Sequence, residues 1–275
     1  VLKFDAPADA VLSAYFRTHR ALGQHDRGFV AESVFGVLRH KRTLDYLART
    51  ADPRRLLLAW AARFEGFSMR QLETVLRPGD AEWIAGLRSA ATDTLPAAVL
   101  AELPNWAFER LEQQIGIEET LVLGRSLQQP APLDLRVNTL KADRESARRA
   151  LGENGIEATP TPYSPIGLRL SGKPAVNRDS VFLRGEVEVQ DEGSQLIGYL
   201  VAPRRRELVV DFCAGAGGKS LMLGAAMSSQ GRLYAFDVAP ARLARLRQRL
   251  KRSGLSNVHP HLLASEHDQK VKRLA

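Results

Sequence analysis

Apolar residues recur at helical spacing through roughly the first 128 positions. Ala8, Val11, Leu12, Tyr15 and Phe16 form one such stripe, and Pro7 suits a first helical turn. Asp26 is predicted to cap a helix carrying Phe29, Val30, Val34, Val37 and Leu38 on one side. Leu44, Leu47 and Ala48 continue that pattern, and Pro53 opens a helix over 54–64. Further helices are predicted over 69–76, 81–90, 106–114 and 118–127, with breaks at Arg77-Pro78-Gly79-Asp80, Leu95-Pro96 and Leu103-Pro104. Trp60, Trp83, Phe64 and Phe67 are expected in the core of this helical segment, because aromatic side chains carry the largest apolar area.

The pattern changes after Gln128-Gln129-Pro130-Ala131-Pro132, a stiff polar stretch. Residues 133–138 read as a strand and 146–154 as a helix stopped by Gly155. Residues 168–170 and 181–182 read as short strands. Asp191-Glu192-Gly193-Ser194-Gln195 opens a helix through Leu200, with acids in its first turn. From Leu208 the order is buried strand, glycine loop, helix (220–227), strand (231–237), helix (240–253) and a third strand near 258–263. Pro260 places that third strand at an edge or shortens it. The expected organisation is mixed: an all-α segment (1–128), a small α+β piece (130–200), and an incomplete doubly wound α/β segment (201–275).

Composition is that of a globular protein, and charge adds one point. Lys+Arg total 39 against 31 Asp+Glu, a formal +8 with pI near 9.9. A basic balance suits a polyanionic partner. Arg20, Arg27, Arg39, His40, Lys41 and Arg42 form either a phosphate-contacting patch or a solvated face. A single cysteine excludes an internal disulfide framework and fits a reducing cytoplasm. No apolar run is long enough to span a membrane, and Val1-Leu2-Lys3-Phe4-Asp5 lacks a signal-peptide core and an initiator Met.

The loop Asp211-Phe212-Cys213-Ala214-Gly215-Ala216-Gly217-Gly218-Lys219-Ser220 carries the chemistry. Three ligands compete for it. A dinucleotide loop, G-x-G-x-x-G, fits Gly215 and Gly217 but meets Ser220 at its third glycine. A P-loop fits Gly218-Lys219-Ser220 but has Cys213 at its first glycine. The third ligand, S-adenosylmethionine, needs a tight loop and a carboxylate at the end of the next strand for its ribose. Asp237 stands there, as an acid does in dinucleotide folds, and no later strand ending in Asp supplies a Walker B site.

The loop sequence, together with Leu135-Arg136-Val137-Asn138-Thr139-Leu140-Lys141 and Val189-Gln190-Asp191-Glu192-Gly193-Ser194-Gln195, resembles three ordered motifs of the RNA cytosine-C5 methyltransferases of the Sun/Fmu (RsmB-like) family. The resemblance implies a NusB-like helical domain that contacts RNA or partner proteins, an RRM-like subdomain, and a Rossmann-like methyltransferase domain. It implies S-adenosyl-L-methionine held by Cys213, Ala214, Gly215, Ala216, Gly217, Gly218, Lys219, Asp237 and Arg242. Glu266 stands in for the Asp that the family often has beside the adenine, and Lys219 contacts the methionine carboxylate or simply ends the loop. Gln190 or Gln195 touches substrate, or the segment is an N-terminal cap. RNA, ribosomal by expectation, is the implied partner of a cytoplasmic monomer without metal.

In the family a cysteine thiolate adds to C6 of the cytosine, from a Pro-Cys or Thr-Cys motif. Neither motif occurs here. The lone Cys213 is expected to pack in the loop as a small buried hydrophobe. The nucleophile is therefore expected beyond Ala275, the 275 residues alone are expected to be inactive, and the chain is read as the N-terminal portion of a longer enzyme. The alternative is a non-catalytic, antiterminator-like RNA-binding protein that keeps the cofactor fold.

Overall fold

A computed structural model describes residues 1–92 and 94–272, in two compact units, Val1–Pro130 and Ala131–Ala275. The first unit is helical: α1 (Ala8–Thr18), α2 (Gln24–Arg39), α3 (Lys41–Ala48), α4 (Pro53–Arg63), α5 (Met69–Leu72) with a 3₁₀ turn after it, α6 (Asp80–Ser89), α7 (Ala97–Leu100) and α8 (Asn105–Leu127). Its core gathers Val37, Leu44, Leu56, Trp60, Ile84 and Leu87, with Phe64, Phe67 and Trp83 packed partly buried against it. Helices α2 and α4 pack closely because Gly36 has no side chain: a Cβ there would stand 2.3 Å from atoms of the Trp60 ring.

Local chemistry moves three boundaries. Asp26 sits in the first turn of α2 rather than before it, because extended Gly23 is the cap residue and donates its N–H to Asp26 Oδ2 at 3.2 Å. The chain turns at His40, whose non-helical backbone separates α2 from α3. The helices expected over 106–114 and 118–127 join as α8 across Gly116, which breaks the helical geometry at φ 80° and ψ 164°.

The second unit holds two sheets. The first is built from β1 (Asp134–Val137), α9 (Arg144–Glu153), β2 (Ala158–Pro160), β3 (Gly167–Leu170), α10 (Ser180–Leu183) and β4 (Val187–Val189). Its order is β2-β3-β1-β4, and β3–β2, β3–β1 and β1–β4 are all antiparallel. That is the split βαβ arrangement of ferredoxin-like folds. Residues 181–182, expected as a strand, form one helical turn instead. Asp179 caps it, accepting the Val181 N–H at 2.8 Å.

Helix α11 (Glu192–Val201) follows, then β5 (Leu208–Asp211), α12 (Gly218–Ala226), β6 (Arg232–Asp237), α13 (Pro240–Ser253), β7 (Val258–Leu262) and α14 (Gln269–Lys272). The tail residues Arg273, Leu274 and Ala275 lie outside the described residues. Strands β5, β6 and β7 run parallel in that order, so Pro260 sits on an outer strand, where a missing N–H breaks no ladder. The boundary expected at 200–201 falls within α11, which packs on α12. Strand β5 is not buried as expected: Leu208 is 55% and Val210 41% exposed. Val209, Leu233, Ala235 and Val258 pack in the core with Leu221, Leu223, Leu243 and Leu246 from α12 and α13. The alternate residues, including Val210, Phe212, Tyr234, Phe236 and His261, turn to the other face. There Phe236 meets Phe212 edge-on, with ring centroids 6.3 Å apart.

Candidate functional site

In a parallel sheet the loops after the strands gather at one edge, where ligands bind. Here that edge collects the glycine loop after β5, Asp237 at the end of β6, and the segment after β7. Gly217 caps α12 at φ +83°, a conformation that favours glycine, and a Cβ there would strike Leu246. Gly215 also has positive φ, but its missing Cβ faces open space. One glycine therefore lets the loop turn under α13, and the other leaves room above it.

Asp237 is 6% exposed. Its Oδ2 accepts the Gly215 N–H at 2.8 Å and its Oδ1 the Ala239 N–H at 2.7 Å. The carboxylate thus pins the glycine loop to the start of α13, and each oxygen keeps one lone pair. Ser220 is fully buried and donates its hydroxyl to Asp211 Oδ2 at 2.6 Å. A P-loop needs that hydroxyl turned outward to a magnesium ion, so this arrangement counts against the nucleoside-triphosphate reading.

A cleft of about 240 Å³ opens beside the loop, lined by Gln190, Asp191, Ser194, Asp211, Cys213, Ala214, Gly218 and Lys219. Helix α12 begins at its wall with no side-chain cap, so first-turn N–H groups are open to an acceptor. Cys213 is exposed on the cleft rather than packed inside the loop as expected. The Phe212 and Cys213 side chains both lie at the open edge, while Ala214 takes the buried position. Arg242 is exposed in the first turn of α13, outside the cleft lining. Glu266 stands 69% exposed, its nearest ionic partner being His267 at 3.7 Å. The residue that organises the loop after β7 is Asp268, which the sequence reading passed over. It accepts the N–H groups of Ala264 at 3.0 Å and Lys270 at 2.9 Å, and these bonds hold its carboxyl below the ordinary range.

Buried polar groups link the ferredoxin-like sheet to this loop. Glu188 on β4, 2% exposed, pairs with Arg249 Nε at 2.9 Å and with Arg252, both on α13. Arg249 also donates to the Ala216 carbonyl in the glycine loop at 3.0 Å. Arg136 on β1 is 1% exposed and donates to Gln190 Oε1 at 2.6 Å. Burial lowers its pKa to about 10, against the pull of Glu188, so it stays charged at neutral pH. Asn138 Nδ2 donates to the Gly185 and Ser253 carbonyls, each at 2.9 Å, and Lys141 Nζ to those of Arg184 and Arg252, each at 2.7 Å. The spacing in Leu135–Lys141 thus serves to fasten α13 to the first sheet.

The motif at 189–195 divides by role. Asp191 caps α11, accepting the Ser194 N–H at 3.0 Å, and Glu192 accepts the Tyr163 and Ser164 N–H groups at 2.7 and 2.8 Å. Gln195 is fully buried and bonds Ser164 Oγ and the carbonyls of Leu135 and Gln190, so it is closed to ligands. Gln190 alone of the two glutamines reaches the cleft. In the helical unit most of the basic candidates have local partners. Arg39 pairs with Glu32, Lys41 with Asp45 and Arg42 with Asn105, Arg27 bonds the Leu22 carbonyl, and His40 stacks on Phe64 at 3.8 Å.

Two family models match the chain. That of the ferredoxin-like domain of RsmF/B-like methyltransferases covers residues 103–177, and that of the 16S rRNA methyltransferase RsmB/F covers residues 198–272. The probable ribosomal RNA small subunit methyltransferase B of Synechocystis sp. is 28% identical over 92% of this chain and 64% of its own length. That of Bacillus subtilis is 25% identical over 86% of this chain and 60% of its own. The chain therefore spans less than two thirds of these relatives. A methyltransferase homolog protein from Pyrococcus horikoshii, of known structure, superposes with a TM-score of 0.59 at 27% identity, over 67% of this chain and 60% of its own. The crystal structure of PH0851 shares the fold over 95% of this chain and 66% of its own, with TM-score 0.73 and 22% identity. With both models matching in chain order and the curated relatives aligning over most of this chain, the chain belongs to the RsmB-like methyltransferase family.

Proposed function

We propose that these residues bind S-adenosyl-L-methionine at the glycine loop and serve methylation of cytosine C5 in RNA, ribosomal RNA in particular. The observation that carries this reading is the pinned pair of loop and acid. Asp237 fixes the glycine loop through Gly215 and keeps a lone pair on each oxygen at the strand end, where a ribose would lie. The donor set fits the cofactor: open first-turn N–H groups, the unfilled space over Gly215, and a cleft holding both carboxylates and a lysine. Among solved structures, NSun6 from Pyrococcus horikoshii, described as with SFG, shares the fold at a TM-score of 0.54 and 18% identity. When held at the glycine loop of this chain, S-adenosyl-L-methionine would supply an electrophilic methyl group. Activation of the cytosine ring needs a thiolate in addition, and Cys213, set in the cofactor loop, is assigned to the cofactor rather than to the base. The helical unit is proposed as a NusB-like contact for RNA or a partner protein, and the whole as a cytoplasmic monomer.

Calorimetry separates the readings. S-adenosylhomocysteine binding with no affinity for ATP is expected. ATP binding that depends on Lys219, with none for S-adenosylhomocysteine, would overturn the cofactor assignment. For the intact protein, transfer of labelled methyl to C5 of a cytosine in small-subunit rRNA is expected. Tight, salt-sensitive RNA binding without any cofactor affinity would instead favour the non-catalytic alternative.

A further inference from the structure

Gln190 is 7% exposed and borders the cleft. Its Oε1 must face Arg136, because a guanidinium has only donors to offer. That fixes the other end of the amide. Nε2 is sealed from water and has no hydrogen-bond partner. It lies under the first turn of α12: a Cβ on Gly218 would stand 3.8 Å from it. A buried donor without an acceptor is rare in native proteins and points to a group that is still to arrive.

We propose that Gln190, oriented by Arg136, donates its Nε2 hydrogen to the carboxylate at the amino-acid end of the cofactor. This rests on the cofactor reading above and adds a binding residue and a positioning residue to it. The acceptor is a carboxylate because the nearby groups are donors or positive: the uncapped first turn beginning at Gly218, the Lys219 side chain, and the amide itself. The same cleft is also lined by Asp191 and Asp211, which would draw an ammonium. Carboxylates and donors in one small cleft match a zwitterion and would repel a plain dianion such as a phosphate. Arg136 holds the amide from behind. It is fully buried, its charge is held by the field of Glu188, and it presents Nε to one oxygen only.

The test compares two ligands by isothermal titration calorimetry: S-adenosylhomocysteine, and its decarboxylated analogue S-adenosyl-3-thiopropylamine, which keeps the ammonium. Gln190→Glu preserves the shape and Arg136's acceptor but replaces the donor with a carboxylate oxygen. It is expected to weaken S-adenosylhomocysteine by about 10- to 100-fold, the range of a hydrogen bond to a charged group, and to leave the decarboxylated ligand as tight or tighter. Arg136→Met frees the amide and is expected to reduce the preference for the carboxylate-bearing ligand in the same sense. If that variant fails to fold, Gln190→Glu carries the test. Unchanged S-adenosylhomocysteine affinity in Gln190→Glu, or an equal loss on both ligands, would overturn the assignment while leaving the cofactor reading intact. A wild-type protein that binds neither ligand would overturn both.

Discussion

Asp237 shows how one residue can serve a loop and a ligand together. The acid after β6 is visible in sequence as a ribose contact, but its two backbone bonds, to Gly215 and Ala239, are not. Asp237→Asn replaces one acceptor oxygen with an NH₂ group that must face a backbone N–H or the ribose. The expected result is a loss of about 1–3 kcal/mol, shared between folding stability and cofactor affinity. Titration with S-adenosylhomocysteine and a thermal melt divide the two, and unchanged affinity would remove Asp237 from the ribose site. Cys213 illustrates the opposite case. Composition alone favours burial for an unpaired cysteine, yet Ala214 occupies the interior position and leaves Cys213 exposed on the cleft. Side-chain direction in a glycine loop depends on positive φ at Gly215 and Gly217, and periodicity carries no information about it.

Elements with a strong period were legible, and those set by caps or by a distant partner were not. The strand over 133–138, the helix over 146–154 and the β-loop-α-β order after 208 follow from spacing, and β1, α9 and β5 to β6 stand close to those bounds. Short β2 and β4 were missed: each has three residues, too few to show alternation, and each is fixed by pairing with β3 or β1. Strand β4 matters most, because Glu188 on it pairs with Arg249, which holds the glycine loop through the Ala216 carbonyl, and Gln190 next to it borders the cleft. A buried acid in a strand reads from sequence as a solvent-facing one. Only the fold brings Arg249 and Arg252 of α13 to it. Glu188→Ala therefore leaves two arginines without their partner, and the expected cost is about 3–5 kcal/mol. Urea unfolding checks this, and Arg249→Met in the same background should recover part of the loss. If Glu188→Ala were as stable as wild type, the pair would be a surface contact rather than the brace between β4 and α13.

At the scale of the whole chain, the two units hold separate cores. One is centred on Trp60, Leu56 and Ile84, and the other spans clusters around Leu135 and Leu233. The proline-rich stretch at 128–132 marks this division in sequence, and the first compact unit ends at Pro130. Separate cores mean that a pH effect and a ligand effect should register in different places. His40, stacked on Phe64, has its pKa lowered to about 4 by burial and secondarily by the charge of Arg39. Unfolded, it titrates near 6.5. Between these values the unfolded chain binds more protons, so the stability from neutral His40 is complete above about pH 6.5 and lost as pH falls toward 4. Allowing for its partial solvation, the loss is about 1–2 kcal/mol. Native-state hydrogen exchange resolves the location. On acidification from pH 6.5 to 4.5, protection should fall in α2 to α4, and His40→Phe should flatten that fall. S-adenosylhomocysteine should raise protection in β5, α12 and β6 instead. Acid lability in α2 to α4 that survives in His40→Phe would place the titrating group elsewhere, and ligand protection confined to the helical unit would contradict the placement of the cofactor site.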